Sequence, residues 1–211
     1  MQIDKNANSP ARERLALLFD DGIYSEINSM VREKDTLTGV VTAYGYVNGN
    51  AVYAFSQDKT VNSAAMGIKQ AEKITKLYEL AAKTGAPIVG IHDSDGAYVD
   101  GTAASLAAYG KIIAAASQVS GVVPQISVIT GTCAGSAALI ACSSDFVIMT
   151  KESELFMAPC SNDNPGTAQK AAEAGLASLL CNDDKSALDK ARELINLLPV
   201  CFHPPLDIIS F

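Results

Sequence analysis

The sequence predicts an α/β fold in which most strands are parallel. Segments rich in β-branched residues alternate with segments of helical periodicity, buried strands run into glycine-containing loops, and one Asn-Gly pair marks a hairpin. Crossover helices between strands make neighbouring strands parallel. The 211 residues, 48% of them apolar and 18% charged, are enough for one domain with a sizeable core.

The first predicted elements are a helix and a hairpin. Ser9-Pro10 begins a helix over residues 10–18, because serine accepts hydrogen bonds from first-turn amides and proline tolerates the first helical position. Residues 39–47 and 51–56 are rich in β-branched and aromatic side chains. Asn48-Gly49-Asn50 joins them, and its first two residues accept the positive φ of a tight hairpin turn.

Strands and helices then alternate to the C-terminus. Periodicity and composition predict helices over 66–83, 103–117, from Ser136, over 168–174 and over 185–198. They predict strands over 87–92, 125–130, 145–149, near Phe156 and over 177–180. We therefore predict a single domain over residues 1–199, followed by a linker-like tail over 200–211.

Composition excludes several classes of function. The formal net charge is -7, from 16 Lys and Arg against 23 Asp and Glu, so no basic field is available to hold nucleic acid or an anionic membrane. No stretch reaches the roughly 18 apolar residues of a membrane span. Five cysteines without a CxxC pair, and an N-terminus without an apolar signal core, predict a reduced protein of the cytoplasm.

Side chains for conventional acid–base chemistry are few. The two histidines are His92, at the end of a buried strand, and His203, between prolines and apolar residues in the tail; neither placement favours a catalytic base. Asp93, Asp95 and Asp100 crowd one loop, where solvated carboxylates and a helix N-cap are favoured over a cation site. We predict no metal, and the chain carries no phosphate-loop or HExxH motif.

Residues 131–135, Gly-Thr-Cys-Ala-Gly, have the form of a nucleophile elbow between a strand and a helix. A thiol hydrolase built on Cys133 needs a later aspartate and then His203 as its base. The candidate acids are Asp145, Asp163 and Asp183. Because His203 lies in the tail, we favour the alternative that these residues are small so that the backbone can approach a neighbour closely.

Two loops that follow strands share one design. Asp95-Gly96-Ala97 and Cys133-Ala134-Gly135-Ser136 each place small residues where backbone amides can point outward near the start of a helix. Such amides, with the helix dipole, stabilise a developing negative oxygen. One donor from each loop would polarise a carbonyl toward an enolate without a titrating side chain. Close packing of a helix against a strand explains the same glycines equally well.

Several longer segments carry a resemblance to a known family. They are Ala11-Arg12-Glu13-Arg14-Leu15, 39–45, 55–58, 71–74, 83–90, 120–129 and 131–135. In this order they resemble the N-terminal half of the biotin-dependent acyl-CoA carboxyltransferases, over residues 11–198. That family includes the β-subunits of acetyl-CoA and propionyl-CoA carboxylases and related decarboxylases and transcarboxylases.

The resemblance implies a crotonase-like (ClpP/crotonase) spiral of ββα units with mostly parallel strands, and an acyl-CoA site. It implies that the amides of Ala97, Gly135 and Ser136 donate to the thioester oxygen, with Gly96 as the permissive hinge. The implied substrate-binding residues are Lys59, Asn62, Ser63, Ala64, Gly67, Cys133 and Ala134. The nearby helix start, with Lys59, Lys69 or Lys73, would balance the CoA phosphates.

The resemblance also implies the reaction. Carboxybiotin on a separate carrier protein supplies the carboxyl group, and the freed ureido nitrogen takes the α-proton, so no protein base is needed. The implied partners are acyl-CoA, a chain carrying the C-terminal half, a biotin carboxyl carrier protein and further copies in a homo- or hetero-oligomer. Tyr98, Ser136 and Ser63 depart from the family pattern, and they motivate an alternative, a non-catalytic assembly subunit.

Overall fold

The computed structural model describes residues 9–33, 36–97, 102–158 and 166–198. The helices are α1 (Pro10–Leu18), α2 (Ile68–Thr84), α3 (Thr102–Val119), α4 (Ser136–Cys142), α5 (Ala168–Glu173) and α6 (Asp184–Leu197). The strands are β1 (Tyr24–Ile27), β2 (Arg32–Glu33), β3 (Thr36–Leu37), β4 (Val40–Val47), β5 (Asn50–Gln57), β6 (Ile88–His92), β7 (Gln125–Ile129), β8 (Thr132–Ala134), β9 (Phe146–Thr150), β10 (Glu154–Phe156) and β11 (Leu179–Cys181).

A seven-stranded sheet forms the centre of the fold, in the order β1-β4-β5-β6-β7-β9-β11. From β5 to β11 every neighbouring pair is parallel, whereas β1 and β5 both run antiparallel to β4. Asn48 and Gly49 turn the β4–β5 hairpin with φ of 50° and 77°. The predicted α/β class, the mostly parallel sheet and the hairpin are therefore confirmed.

Apolar side chains cover both faces of this sheet. Helices α2, α3 and α4 bury Ile74, Ile112 and Ala137 against one face. Helices α1 and α6 bury Leu15 and Leu188 against the other. All five residues of β6, in the middle of the sheet, are buried, as expected for a parallel strand covered on both faces.

The described strands β1, β2 and β3 and the segment 131–135 differ from the sequence-based expectation. Strand β1 was not predicted, because its four residues alternate too briefly to stand out; it is held at the sheet edge by pairing with β4. The predicted loop 131–135 contains strand β8, which pairs in parallel with β10 in the register Cys133↔Leu155. This pairing is a tertiary contact, and the local sequence of the three β8 residues does not predict it. The predicted tail over 200–211 lies outside the described residues.

Candidate functional site

Three loops leave the same edge of the sheet. The first loop (58–67) follows β5, the second loop (93–97) follows β6, and the third loop (130–135) follows β7. These strands are parallel neighbours, and the carboxyl ends of parallel strands meet at one edge. The prediction that the two small-residue loops follow neighbouring parallel strands is confirmed.

Backbone hydrogen bonds join the first loop to the second. The amide of Met66 donates to the Gly96 carbonyl at 2.8 Å, and the amide of Asp95 donates to the Ser63 carbonyl at 3.1 Å. The Ser94 hydroxyl donates to the Ala64 carbonyl at 2.8 Å. The first loop, which carries most of the predicted substrate-binding residues, is therefore hydrogen-bonded to the second loop, which carries the predicted donor Ala97.

The second and third loops are joined as closely. The amide of Ser94 donates to the Thr132 carbonyl at 2.9 Å, and the amide of Thr130 donates to the His92 carbonyl at 3.1 Å. Gly131 lies against Asp93, so that a Cβ at Gly131 would collide with the Asp93 carboxylate. The second loop is thus hydrogen-bonded to the first loop on one side and to the third loop on the other.

Ala97 and Ser136 carry the amides available for an incoming acceptor. None of the described residues accepts a hydrogen bond from either amide, and Ser136 is the first residue of α4, where amides lack a partner within the helix. Gly96 has a φ of 121°, a conformation that essentially only glycine adopts, and its own amide donates to Ser94 Oγ at 3.1 Å. This geometry agrees with the expected hinge.

The Gly135 amide does not fit its expected role as an oxyanion donor. It donates to the Phe156 carbonyl at 2.9 Å, an extension of the β8–β10 pairing. With φ of 61° and ψ of -129°, Gly135 instead turns the chain from β8 into α4. Only glycine makes this turn without strain, and the turn places Ser136 at the head of the helix.

The first loop holds three successive residues in the left-handed region. Asn62, Ser63 and Ala64 have φ of 48°, 54° and 51°. Each non-glycine residue in this region costs about 1 kcal/mol or more. The loop therefore adopts a left-handed backbone without any glycine at these three positions, at a cost in stability.

The three lysines expected near the first loop are paired with carboxylates or buried. Lys59 Nζ lies 2.8 Å from Asp95 Oδ1 and 3.6 Å from Asp93 Oδ1. Lys73 is buried, its Nζ donates to the Val40 carbonyl at 2.6 Å, and burial lowers the pKa of its ammonium to about 8. Lys69 Nζ pairs with Glu72 at 2.8 Å.

The start of α2 is also occupied. The Glu33 carboxylate lies over Gly67, where a Cβ would collide with it, and accepts from the Lys69 amide at 3.4 Å. The expectation that this helix start and its lysines balance CoA phosphates is corrected: a carboxylate already takes the position that favours an anion.

Cys133 does not have the exposure of a nucleophile. Its side chain is 1% exposed, and burial raises the pKa of its thiol well above the ordinary range. The reactive form of cysteine is the thiolate, which burial disfavours. The elbow interpretation of Cys133 is therefore wrong, and the small residues Cys133 and Ala134 serve the β8–β10 pairing. His203 and Asp163 lie outside the described residues, as do Tyr98 and Asp100.

His92 is a core residue. Its Nε2 lies 3.2 Å from Ser127 Oγ, its ring packs edge-on against Phe55, and burial lowers the pKa of the imidazole to about 4. No group of three or more possible metal ligands of the His, Cys, Asp and Glu types occurs within the described ranges. Over the same ranges, no helix is long and apolar enough to cross a membrane.

The burial of His92 predicts a loss of stability in mild acid. The unfolded chain binds a proton at His92 once the pH falls below the ordinary histidine pKa of 6.5. The folded chain binds it only near pH 4, so stability falls as the pH drops through this window. Between pH 7 and pH 5 this group should cost about 2 kcal/mol of unfolding free energy. Urea denaturation at both pH values measures it. His92→Gln, which keeps a nitrogen near Ser127, should lose this part of the pH dependence; an unchanged dependence would contradict the assignment.

Arg14 belongs to the segment Ala11–Leu15, and the sequence predicts no role for its side chain. The Arg14 side chain is buried and its Nη2 lies 3.1 Å from Asp93 Oδ2. Asp93 and Arg14 are 79 residues apart, so no local pattern connects them. A charged residue on the apolar face of a predicted helix, among Ala11, Leu15 and Leu18, was the available signal.

Comparison with known proteins decides the family. A sequence profile described as "Carboxyl transferase domain" matches residues 4–205. The chain belongs to the carboxyl transferase domain family. The methylmalonyl-CoA decarboxylase subunit alpha of Propionigenium modestum is 39% identical over 90% of this chain and 41% of its own length. The propionyl-CoA carboxylase beta chain of Cereibacter sphaeroides is 32% identical over 98% of this chain and 45% of its own length.

Solved carboxyltransferase structures share the fold. Transcarboxylase 12S, solved with methylmalonyl-coenzyme A and methylmalonic acid bound, superposes with a TM-score of 0.85 at 34% identity, over 90% of this chain and 42% of that one. The crotonase-like fold is confirmed. This carboxyl transferase domain spans less than half the length of these relatives.

Proposed function

We propose that this carboxyl transferase domain binds an acyl-CoA thioester, of the acetyl-CoA or propionyl-CoA class, and stabilises its enolate during carboxyl transfer. The observation that carries the proposal is that the Ala97 and Ser136 amides have no acceptor among the described residues and lie on segments that follow neighbouring parallel strands. Backbone donors aimed at a developing oxyanion act without reorganisation and supply much of the stabilisation in acyl chemistry.

The proposed chemistry needs no protein base. Carboxybiotin, as a separate co-substrate, would supply the carboxyl group to the α-carbon as carbon dioxide, and its freed ureido nitrogen would take the α-proton. The Ala97 and Ser136 amides hold the thioester oxygen as its charge increases. The side chains nearest these loops are not free to act as a base, because His92 is buried and Asp93 is paired with Arg14 and Lys59.

The proposal includes partners. Carboxybiotin would arrive on a separate biotin carboxyl carrier protein, and a chain carrying the C-terminal half would complete the site in an oligomer. The names of the relatives, a decarboxylase and a carboxylase, support an acyl-CoA substrate and leave both directions of carboxyl transfer open. The described cysteines, Cys133, Cys142 and Cys181, are free thiols, which suits the proposed cytoplasmic setting.

Calorimetry with acetyl-CoA, propionyl-CoA and methylmalonyl-CoA tests this function. Acyl-CoA should bind more tightly than free CoA, because the proposed donors act on the thioester oxygen. Ser94→Ala removes the hydroxyl that joins the first two loops and should weaken acyl-CoA binding about tenfold. Ser143→Ala, on an exposed hydroxyl of the α4 end, is the matched control. No binding of any thioester at millimolar ligand would contradict the proposal.

Two contacts around the first loop favour a second candidate, a non-catalytic assembly subunit. The Glu33 carboxylate at the start of α2 and the paired Lys59 both oppose binding of the CoA phosphates. Under this candidate, Glu33→Gln leaves the chain unable to bind acyl-CoA, and carboxyl transfer by the assembled complex is unaffected by changes at Ala97 or Ser136. Tight thioester binding by the unmodified chain would remove this candidate.

A further inference from the structure

Arg14 connects three parts of the fold from a buried position. It lies on the inner side of α1 and is 9% exposed. Its Nε donates to Asp184 Oδ2 at 2.7 Å, at the first residue of α6, and its Nη2 donates to Asp93 Oδ2 at 3.1 Å. One guanidinium therefore ties both helices to the first residue after β6.

Asp93 is the point where this connection meets the site. Its Oδ1 faces Lys59 Nζ of the first loop at 3.6 Å, and its amide donates to Gln57 Oε1 at 3.1 Å. On the side of the third loop, Gly131 leaves just the space that the carboxylate fills. The side chain of Asp93, which begins the second loop, thus contacts both the first and the third loop.

A buried carboxylate keeps its place only while it is paired. Asp93 is 8% exposed, and removal of one partner of a buried ion pair leaves a charge that either takes a proton or moves toward water. Asp93 begins the short second loop that ends at Ala97, with the hinge Gly96 between them. Residues 94–96 are hydrogen-bonded to the first and third loops, so a shift of Asp93 disturbs this network and with it the position of the Ala97 amide.

The surroundings of the Arg14 guanidinium do not give the greatest stability. Arg14 Nη1 is buried and has no hydrogen-bond partner within the described part of the chain. A buried donor of a charged group that lacks a partner costs its full desolvation penalty. An interaction that carries this cost suggests a role for Arg14 beyond holding α1 to α6.

We propose that Arg14 is a positioning residue, which fixes the second loop through Asp93 so that the Ala97 amide meets the thioester oxygen. The inference rests on the proposed function. It differs from a purely structural role in one respect: the contact with Asp93 controls catalysis, whereas the contact with Asp184 controls stability alone.

The test compares the two contacts in the complete carboxyltransferase complex. In Arg14→Gln and in Asp93→Asn, kcat should fall by about 10–100-fold while KM for acyl-CoA changes by less than about threefold, because the loss is in the transition state. Asp184→Asn, the matched control, should lower the melting temperature and keep kcat within about twofold. If Arg14→Gln does not fold, Asp93→Asn carries the same test.

Hydrogen exchange provides a measurement that does not depend on turnover. Amides 94–96, which donate hydrogen bonds in the folded chain, should exchange faster in Arg14→Gln and Asp93→Asn than in the unmodified chain or in Asp184→Asn. Equal kcat losses in Asp93→Asn and Asp184→Asn, or unchanged exchange over 94–96, would overturn the positioning role. An unmodified complex without carboxyl transfer would overturn the proposed function instead, and the exchange measurement would still decide whether Arg14 fixes the loop.

Discussion

Gly39→Ala is expected to destabilise the chain by about 3 kcal/mol and to weaken acyl-CoA binding at least tenfold. A Cβ at Gly39 would lie 2.7 Å from Ala64 Cα and 2.7 Å from the Val61 carbonyl oxygen. Both are backbone atoms, so no side chain can rotate away and the first loop itself has to move. That loop already holds Asn62, Ser63 and Ala64 at positive φ and has little capacity for further strain.

Gly110→Ala is the matched control for Gly39→Ala. Gly110 lies within α3, and a Cβ there meets nothing within 4 Å. Alanine favours the helix over glycine by about 1 kcal/mol, so this variant should be more stable than the unmodified chain. Urea denaturation measures both changes, and calorimetry measures binding. A Gly39→Ala variant of undiminished stability and affinity would show that the first loop does not need this close approach.

Ser136→Pro is expected to lower the rate of carboxyl transfer by about 10²–10³-fold while the chain remains folded. Proline removes the Ser136 amide but is well tolerated at the first position of a helix, where the amide has no helical partner. The preceding residue is restricted by proline, yet Gly135 already has a conformation open only to glycine. The variant thus removes one hydrogen-bond donor with little other change.

Ser136→Ala separates the amide from the side chain. It keeps the backbone donor and removes a hydroxyl that makes no hydrogen bond with the described residues, so its rate should fall far less than that of Ser136→Pro. Rates are compared in the assembled complex, with circular dichroism as the control for folding. Equal losses in the two variants would assign the effect to the side chain and count against an amide donor.

Local sequence patterns predicted most of the fold because the deciding interactions are local. The Asn48-Gly49 turn sets the hairpin by its own backbone preference, and β6 is a short apolar run that stays buried on both faces. Strand β1 escaped prediction because its four residues acquire their conformation by pairing with β4. Edge strands of this length carry too little pattern to be found alone.

The site was predicted in outline and corrected in detail. Small residues after β6 and β7 indicated the two amide loops, since neighbouring parallel strands end at the same edge. The sequence could not show that Phe156 takes the Gly135 amide, because that bond depends on the pairing of β8 with the distant β10. Nor could it show that Glu33 lies over Gly67 or that Arg14 reaches Asp93, contacts that only the tertiary fold creates.

The most direct test of the central claim is the carbonyl stretching frequency of a bound thioester, measured by isotope-edited infrared spectroscopy with a ¹³C-labelled acyl-CoA. Two amide donors on the thioester oxygen should lower this frequency relative to free acyl-CoA, and Ser136→Pro should reverse much of the shift at equal occupancy. A bound thioester with the frequency of the free ligand, or a shift that Ser136→Pro leaves intact, would contradict polarisation by the Ala97 and Ser136 amides.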